Sequence, residues 1–139
     1  MRERRGPPRS LKPWTRRAEN DFRILELALT DPQPPWDTVC LHSRQCVEKL
    51  LKSVLIAGHV PPPRSHDLKE LLALCPAELR DDARLRVACH ALNEIWPKTR
   101  YPEALEPTAE EGAAAVASVR EARVILLQTL ARLTRAADT

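Results

Sequence analysis

The sequence predicts an all-α protein, an antiparallel up-and-down bundle of four long helices plus one short helix. Three observations predict it. Only three glycines and one phenylalanine occur among 139 residues, and Leu, Ala, Arg and Glu dominate, a mix that favours helix over sheet. Apolar residues recur at three- and four-residue spacing in four long segments. Proline clusters punctuate those segments and leave no room for one to run into the next. The length suits one domain with one core, and no internal repeat is visible.

Residues 1–13 read as a flexible basic leader, given Gly6, Pro7, Pro8 and Pro13. The helical domain is expected over residues 14–135. Its first helix spans about Trp14–Thr30, with Ala18, Phe22, Leu25, Ala28 and Leu29 on the apolar side. The run Asp31–Pro35 stops it, because proline lacks an amide hydrogen and restricts the residue before it. A second helix starts near Trp36 and ends at Gly58, a candidate C-terminal cap. Pro61, Pro62 and Pro63 force an extended connector. Ser65 is a natural N-cap for a short third helix over His66–Leu74. A fourth helix, from Ala77 or Asp81 to Ile95, buries Leu85, Ala88, Cys89, Leu92 and Ile95. A proline-rich loop, Trp96–Pro107, follows. Thr108 and Glu111 have the spacing of a capping box for a last helix over about Ala109–Thr134, with Val116, Val119, Ala122, Leu126, Leu130 and Leu133 on one side.

The second helix carries the most information. Val47, Leu50, Leu51, Val54 and Leu55 form an apolar stripe. His42, Gln45, Lys49 and Lys52 form a polar one nearly opposite. An imidazole, an amide and two ammonium groups suit a polar or anionic ligand, or a subunit interface. The bland alternative is a solvated face with Glu48 and Lys52 paired at i, i+4. Arg64, His66 and Asp67 precede a helix start, where free amides and an arginine fork attract anions. There the plainer reading is capping by Ser65 and a favourable dipole contact for Asp67. Arg100 and Tyr101 sit side by side in a stiff loop, a cation and a ring suited to stacking and phosphate contact, or to sealing the bundle end.

Charge and cysteine usage narrow the classes. Net charge is +3, yet seven of the 22 basic residues lie among the first 17 with one acid, Glu3, so the remainder is mildly acidic. A basic arm of this kind touches nucleic acid or aids solubility. Cys40, Cys46, Cys75 and Cys89 form no C-x-x-C pair and are expected as reduced, partly buried thiols. No apolar run approaches the roughly 20 residues of a membrane span. The basic start lacks an apolar signal-peptide core, so a cytoplasmic location is expected. No Gly-rich phosphate loop, nucleophile triad or metal-ligand spacing occurs, and no cofactor is implied.

Three pieces in order, His42–Lys52, Pro62–Leu68 and Lys98–Glu103, together with the long last helix, resemble the HEPN domain family. The resemblance covers roughly Trp14–Leu133. It implies a homodimer that binds a nucleotide or RNA and works with a minimal nucleotidyltransferase partner, often as a toxin–antitoxin pair. The alternatives are a metal-independent RNase toxin and a non-catalytic dimeric scaffold. The RNase branch of the family carries an arginine and, a few residues on, a histidine. Arg84 and His90 meet that spacing here and are the candidate catalytic pair, and Arg86 with His90 is an i, i+4 pair. At the end of the fourth helix, where the family places the motif, this chain has Asn93-Glu-Ile-Trp-Pro97.

Overall fold

The computed structural model describes residues 11–97, 103 and 105–138. Six helices occur among them: α1 (Leu11–Ala28), α2 (Trp36–Ala57), α3 (Leu68–Ala73), α4 (Ala77–Arg80), α5 (Ala83–Glu94) and α6 (Ala109–Asp138). The all-α architecture is the expected one. Four helices are long and two are short. No strand occurs among the described residues.

The boundaries follow local chemistry. Among the described residues α1 runs from Leu11, three residues before the predicted start, and takes in Pro13, which is tolerated near a helix start because an amide hydrogen there has no helical acceptor. The expected leader lies mostly in residues 1–10, outside the described residues. At the end of α2, Gly58 has φ −91° and is not the left-handed residue. His59 is, with φ +61°. The His59 amide donates to the Ile56 carbonyl at 2.9 Å and the Val60 amide to the Leu55 carbonyl at 2.8 Å, which is the Schellman pattern.

α3 starts at Leu68 rather than His66. Its N-cap is Asp67, which accepts from the Lys69 amide. Ser65 accepts from the Asp67 amide at 3.1 Å and turns the chain ahead of the cap. Asn93 of α5 fixes this start: its carbonyl accepts from the Leu68 amide at 3.0 Å and its amide donates to Asp67 at 2.8 Å. The fourth predicted helix takes the later of its two expected starts, at Ala83, because Asp82 caps it by accepting from the Leu85 amide, and Ala77–Arg80 forms a short helix of its own. Both bonds of the predicted capping box form at α6. The Thr108 amide donates to Glu111 at 2.9 Å, and the Glu111 amide donates to Thr108 Oγ1 at 3.0 Å.

α2 is the central element. It packs against α1 on one side and α6 on the other, while α5 packs on α6 and α3 bridges α5 to α2. Val47, Leu50, Leu51, Val54 and Leu55 are buried, as their spacing requires. They meet Leu25 of α1, Leu85 and Leu92 of α5, and Val119 and Leu126 of α6 in one core. Each such side chain gains about 1.5–3 kcal/mol from leaving water. Gly112 lets α6 approach Trp36 closely; a Cβ there would lie 2.7 Å from indole Cδ2. Arg123 of α6 closes the bundle by donating to Glu19 of α1 through Nε at 2.9 Å, with its guanidinium 4.2 Å from the Phe22 ring centroid. All four cysteines are buried, and none is in a disulfide. No helix among the described residues is long and apolar enough to cross a membrane.

Candidate functional site

Burial of α2 extends well beyond its apolar stripe. Arg44, Glu48 and Lys52, spaced at i, i+4 and i+8, share one face and are all buried. Glu48 accepts from Arg44 Nη1 at 2.9 Å, from Lys52 Nζ at 3.1 Å and from His66 Nδ1 at 3.0 Å. Burial alone raises the pKa of this carboxyl. The Lys52 hydrogen bond and charge, the Arg44 charge and the His66 hydrogen bond outweigh it and hold Glu48 below the usual carboxylate range. Glu48 is therefore an anion at neutral pH, serving three donors.

Arg44 is the most tightly held of the three. Its side chain is 1% exposed. Nη2 donates to the His66 backbone carbonyl. The guanidinium lies 3.8 Å from the centroid of the Trp96 ring, and Trp96 also stacks on His66 at 5.6 Å between centroids. At the other end of the row, Lys52 Nζ lies 5.5 Å from the Trp14 ring. An open cleft of about 610 Å³ runs over this row. Trp14 and Arg17 of α1 line it, with Gln45 and Lys49 of α2, and with His66 and Trp96. Arg17 is exposed and makes no ion pair among the described residues. The cleft thus combines the Trp14 ring, a Trp96 ring packed by Arg44 and His66, and an excess of cations over carboxylates, an arrangement suited to a flat ring bearing negative charge.

A second ionic cluster joins α1 to α2. Asp21, 4% exposed, accepts from His42 Nδ1 at 2.7 Å and from Lys49 Nζ at 2.6 Å. α1 therefore covers the part of the polar stripe that carries His42. The Lys49 side chain is a quarter exposed and lies both on Asp21 and at the cleft wall.

A family model for the HEPN domain matches residues 11–128, from the first residue of α1 well into α6. The chain belongs to the HEPN family. A solved structure of an archaeal HEPN homologue resembles this fold with a TM-score of 0.64 and 22% identity, covering 88% of this chain and 97% of the other. That likeness speaks for the fold. No match was found among curated proteins.

In this HEPN chain the polar stripe of α2 and the segment before α3 do converge. His66 reaches Glu48, while Gln45, Lys49 and Lys52 line the same cleft. Asp67 is taken up in capping α3, hydrogen-bonded to Asn93, and Arg64 is exposed without lining the cleft. Arg100 and Tyr101 lie outside the described residues. Arg84 is exposed and lies 3.6 Å from Glu121 of α6. His90 lines a different cleft, beside Arg86.

Sequence reasoning passed over several residues of the HEPN cleft and of the ionic cluster beside it, and met Glu48 only as a partner for Lys52. Arg44 and Glu48 carried a signal in their i, i+4, i+8 spacing with Lys52. Asp21 carried another: it falls between Ala18 and Phe22, on the apolar side of α1, where a carboxylate requires a partner. Trp14 and Trp96 had no pattern to mark them beyond size.

Proposed function

We propose that this HEPN chain is a nucleotide- or RNA-binding component of a two-component system with a minimal nucleotidyltransferase, acting as a cytoplasmic homodimer. One observation carries the binding part of the reading: the cleft in which Trp14 and Trp96 flank Arg17, Arg44, Lys49 and Lys52. Indole faces take bases by stacking, worth about 1–3 kcal/mol per base, and the cations take phosphate oxygens. Two-component pairing rests on family membership. The alternative of a metal-independent RNase toxin draws no support from Arg84, which pairs with Glu121 and does not line the cleft that holds His90.

The test is binding of AMP, ATP and a short oligouridylate, followed by thermal shift and calorimetry. Trp14→Ala and Arg17→Ala should each weaken binding about tenfold without unfolding the protein, since one stacked base and one charge-assisted bond are each worth roughly 1–3 kcal/mol. Absence of any shift with all three ligands sinks the binding reading. Co-purification with a nucleotidyltransferase encoded beside this chain tests the pairing, and light scattering tests the dimer: a 2:2 mass supports it and a 1:1 mass overturns it.

A further inference from the structure

A second cleft, of about 710 Å³, runs along the outer side of α5, between α3 and α4. It shares no lining residue with the cleft over Glu48. Its floor is apolar: Leu72 and Cys89 are buried there, and Val87 of α5 stands 68% exposed beside them. Its rim is basic, with Lys69 from α3, Arg80 from α4, and Arg86 and His90 from α5. Asp81 is the single carboxylate among the lining residues, and it lies 4.0 Å from Arg80. Lys69 and Arg86 make no ion pair among the described residues.

We propose that this cleft docks an acidic amphipathic helix of a partner protein. Three features select that occupant. The stretch of α5 that lines it, Ala83–Asn93, is about 15 Å long, which matches three turns of a second helix. An apolar floor between cations takes Leu or Ile at i, i+3/i+4 and i+7, with Glu or Asp along both flanks. The cleft also offers no indole, phenol or phenyl ring, only the His90 imidazole and guanidinium planes at its rim, so the bases of a nucleic acid would leave the apolar floor poorly filled. That contrasts with the cleft over Glu48, which has two indoles. A second copy of this chain fits poorly too, because a two-fold contact through this face brings two basic rims together with Asp81 as the single lining carboxylate on each to offset them. The partner must therefore bring the acids. Charged rim contacts of this sort set the association rate and its salt dependence, while Val87 and Leu72 supply the buried contact area.

The experiment uses the full chain and a fluorescein-labelled peptide of about 14 residues, with Leu at helical i, i+3, i+7 positions and Glu elsewhere. A control peptide replaces every Glu by Lys. The acidic peptide should bind, and added salt should weaken it. Lys69→Glu combined with Arg86→Glu should raise its Kd about tenfold or more, and so should Val87→Asp. All three positions are exposed, and unchanged circular dichroism verifies the fold of each variant. Equal binding of the Lys peptide, or an acidic-peptide affinity indifferent to these substitutions, overturns the proposal. So does displacement of the peptide by an equimolar oligouridylate, or a dimer that the Lys69→Glu, Arg86→Glu variant turns into a monomer.

Discussion

Replacing Glu48 by Gln tests the central claim about the cleft. The amide keeps the shape of the carboxylate, so no cavity opens, but the negative charge goes. Arg44 is 1% exposed and Lys52 9% exposed at the side chain, and both lose the anion that compensates them. Breaking a buried ion pair from one side costs about 3–5 kcal/mol. Lys52 has a flexible stem beside an open cleft and can turn outward. Arg44 cannot, because its side chain is buried and held by the His66 carbonyl and the face of Trp96. The expected cost is therefore at the lower end, about 3 kcal/mol, a large share of the roughly 5–15 kcal/mol available to a domain. In a bundle of this size that lowers Tm by about 10 °C. Urea unfolding followed by circular dichroism measures it. Inorganic phosphate should return part of the loss, and should stabilise Glu48→Gln more than the parent, because an anion held in the open cleft beside Lys52 offsets the charge that Glu48 no longer compensates. A variant within about 1 kcal/mol of the parent refutes the reasoning, since Arg44 would then have its charge met by water rather than by Glu48.

The same carboxyl gives a pH prediction. Its folded pKa lies below the ordinary 4.5, so its contribution is present above that pH and fades as pH falls toward the folded value. The stability gap between the parent and Glu48→Gln should narrow below pH 4.5, which unfolding series at several acid pH values will reveal. Gly112→Ala should destabilise by about 1–3 kcal/mol despite the better helix propensity of Ala, because the new methyl collides with the Trp36 ring; a neutral result in a melting curve counts against that contact. His59→Gly should stabilise by about 0.5–1 kcal/mol, since glycine takes the left-handed backbone without strain, and a lowered Tm would show that the imidazole matters more than its φ. Burial pushes the thiols of Cys75 and Cys89 up to about 12 and that of Cys46 higher still. Ellman's reagent should therefore find no fast-reacting thiol in the native protein and all four in denaturant.

Period and punctuation made the helices legible. The apolar spacing on α2, α5 and α6 needs only the 3.6-residue turn, and the Thr108–Glu111 box is complete within four residues. What failed was whatever a distant residue decides. Asn93 settles where α3 begins, and it is 25 residues from Leu68. Nothing local to α2 says that α1 will lie across its polar face. Asp21 does that, from 21 and 28 residues away. Gly58 was a sound choice by residue type for the turn after α2, yet the backbone places the left-handed step one residue later. The cleft was half visible: its lysines stood out on a helical wheel, while its indoles came from the two flanks of the bundle.

The placement of the indoles has a practical side. Of the three tryptophans, Trp14 and Trp96 line the cleft and Trp36 lies against Gly112. Indole emission depends on local polarity and on quenching neighbours, and Trp96 has an imidazole and a guanidinium against its face. The cleft therefore carries its own optical gauge. With Trp36 replaced by Phe, the remaining emission comes wholly from its walls, and occupancy by any ligand becomes readable without a label.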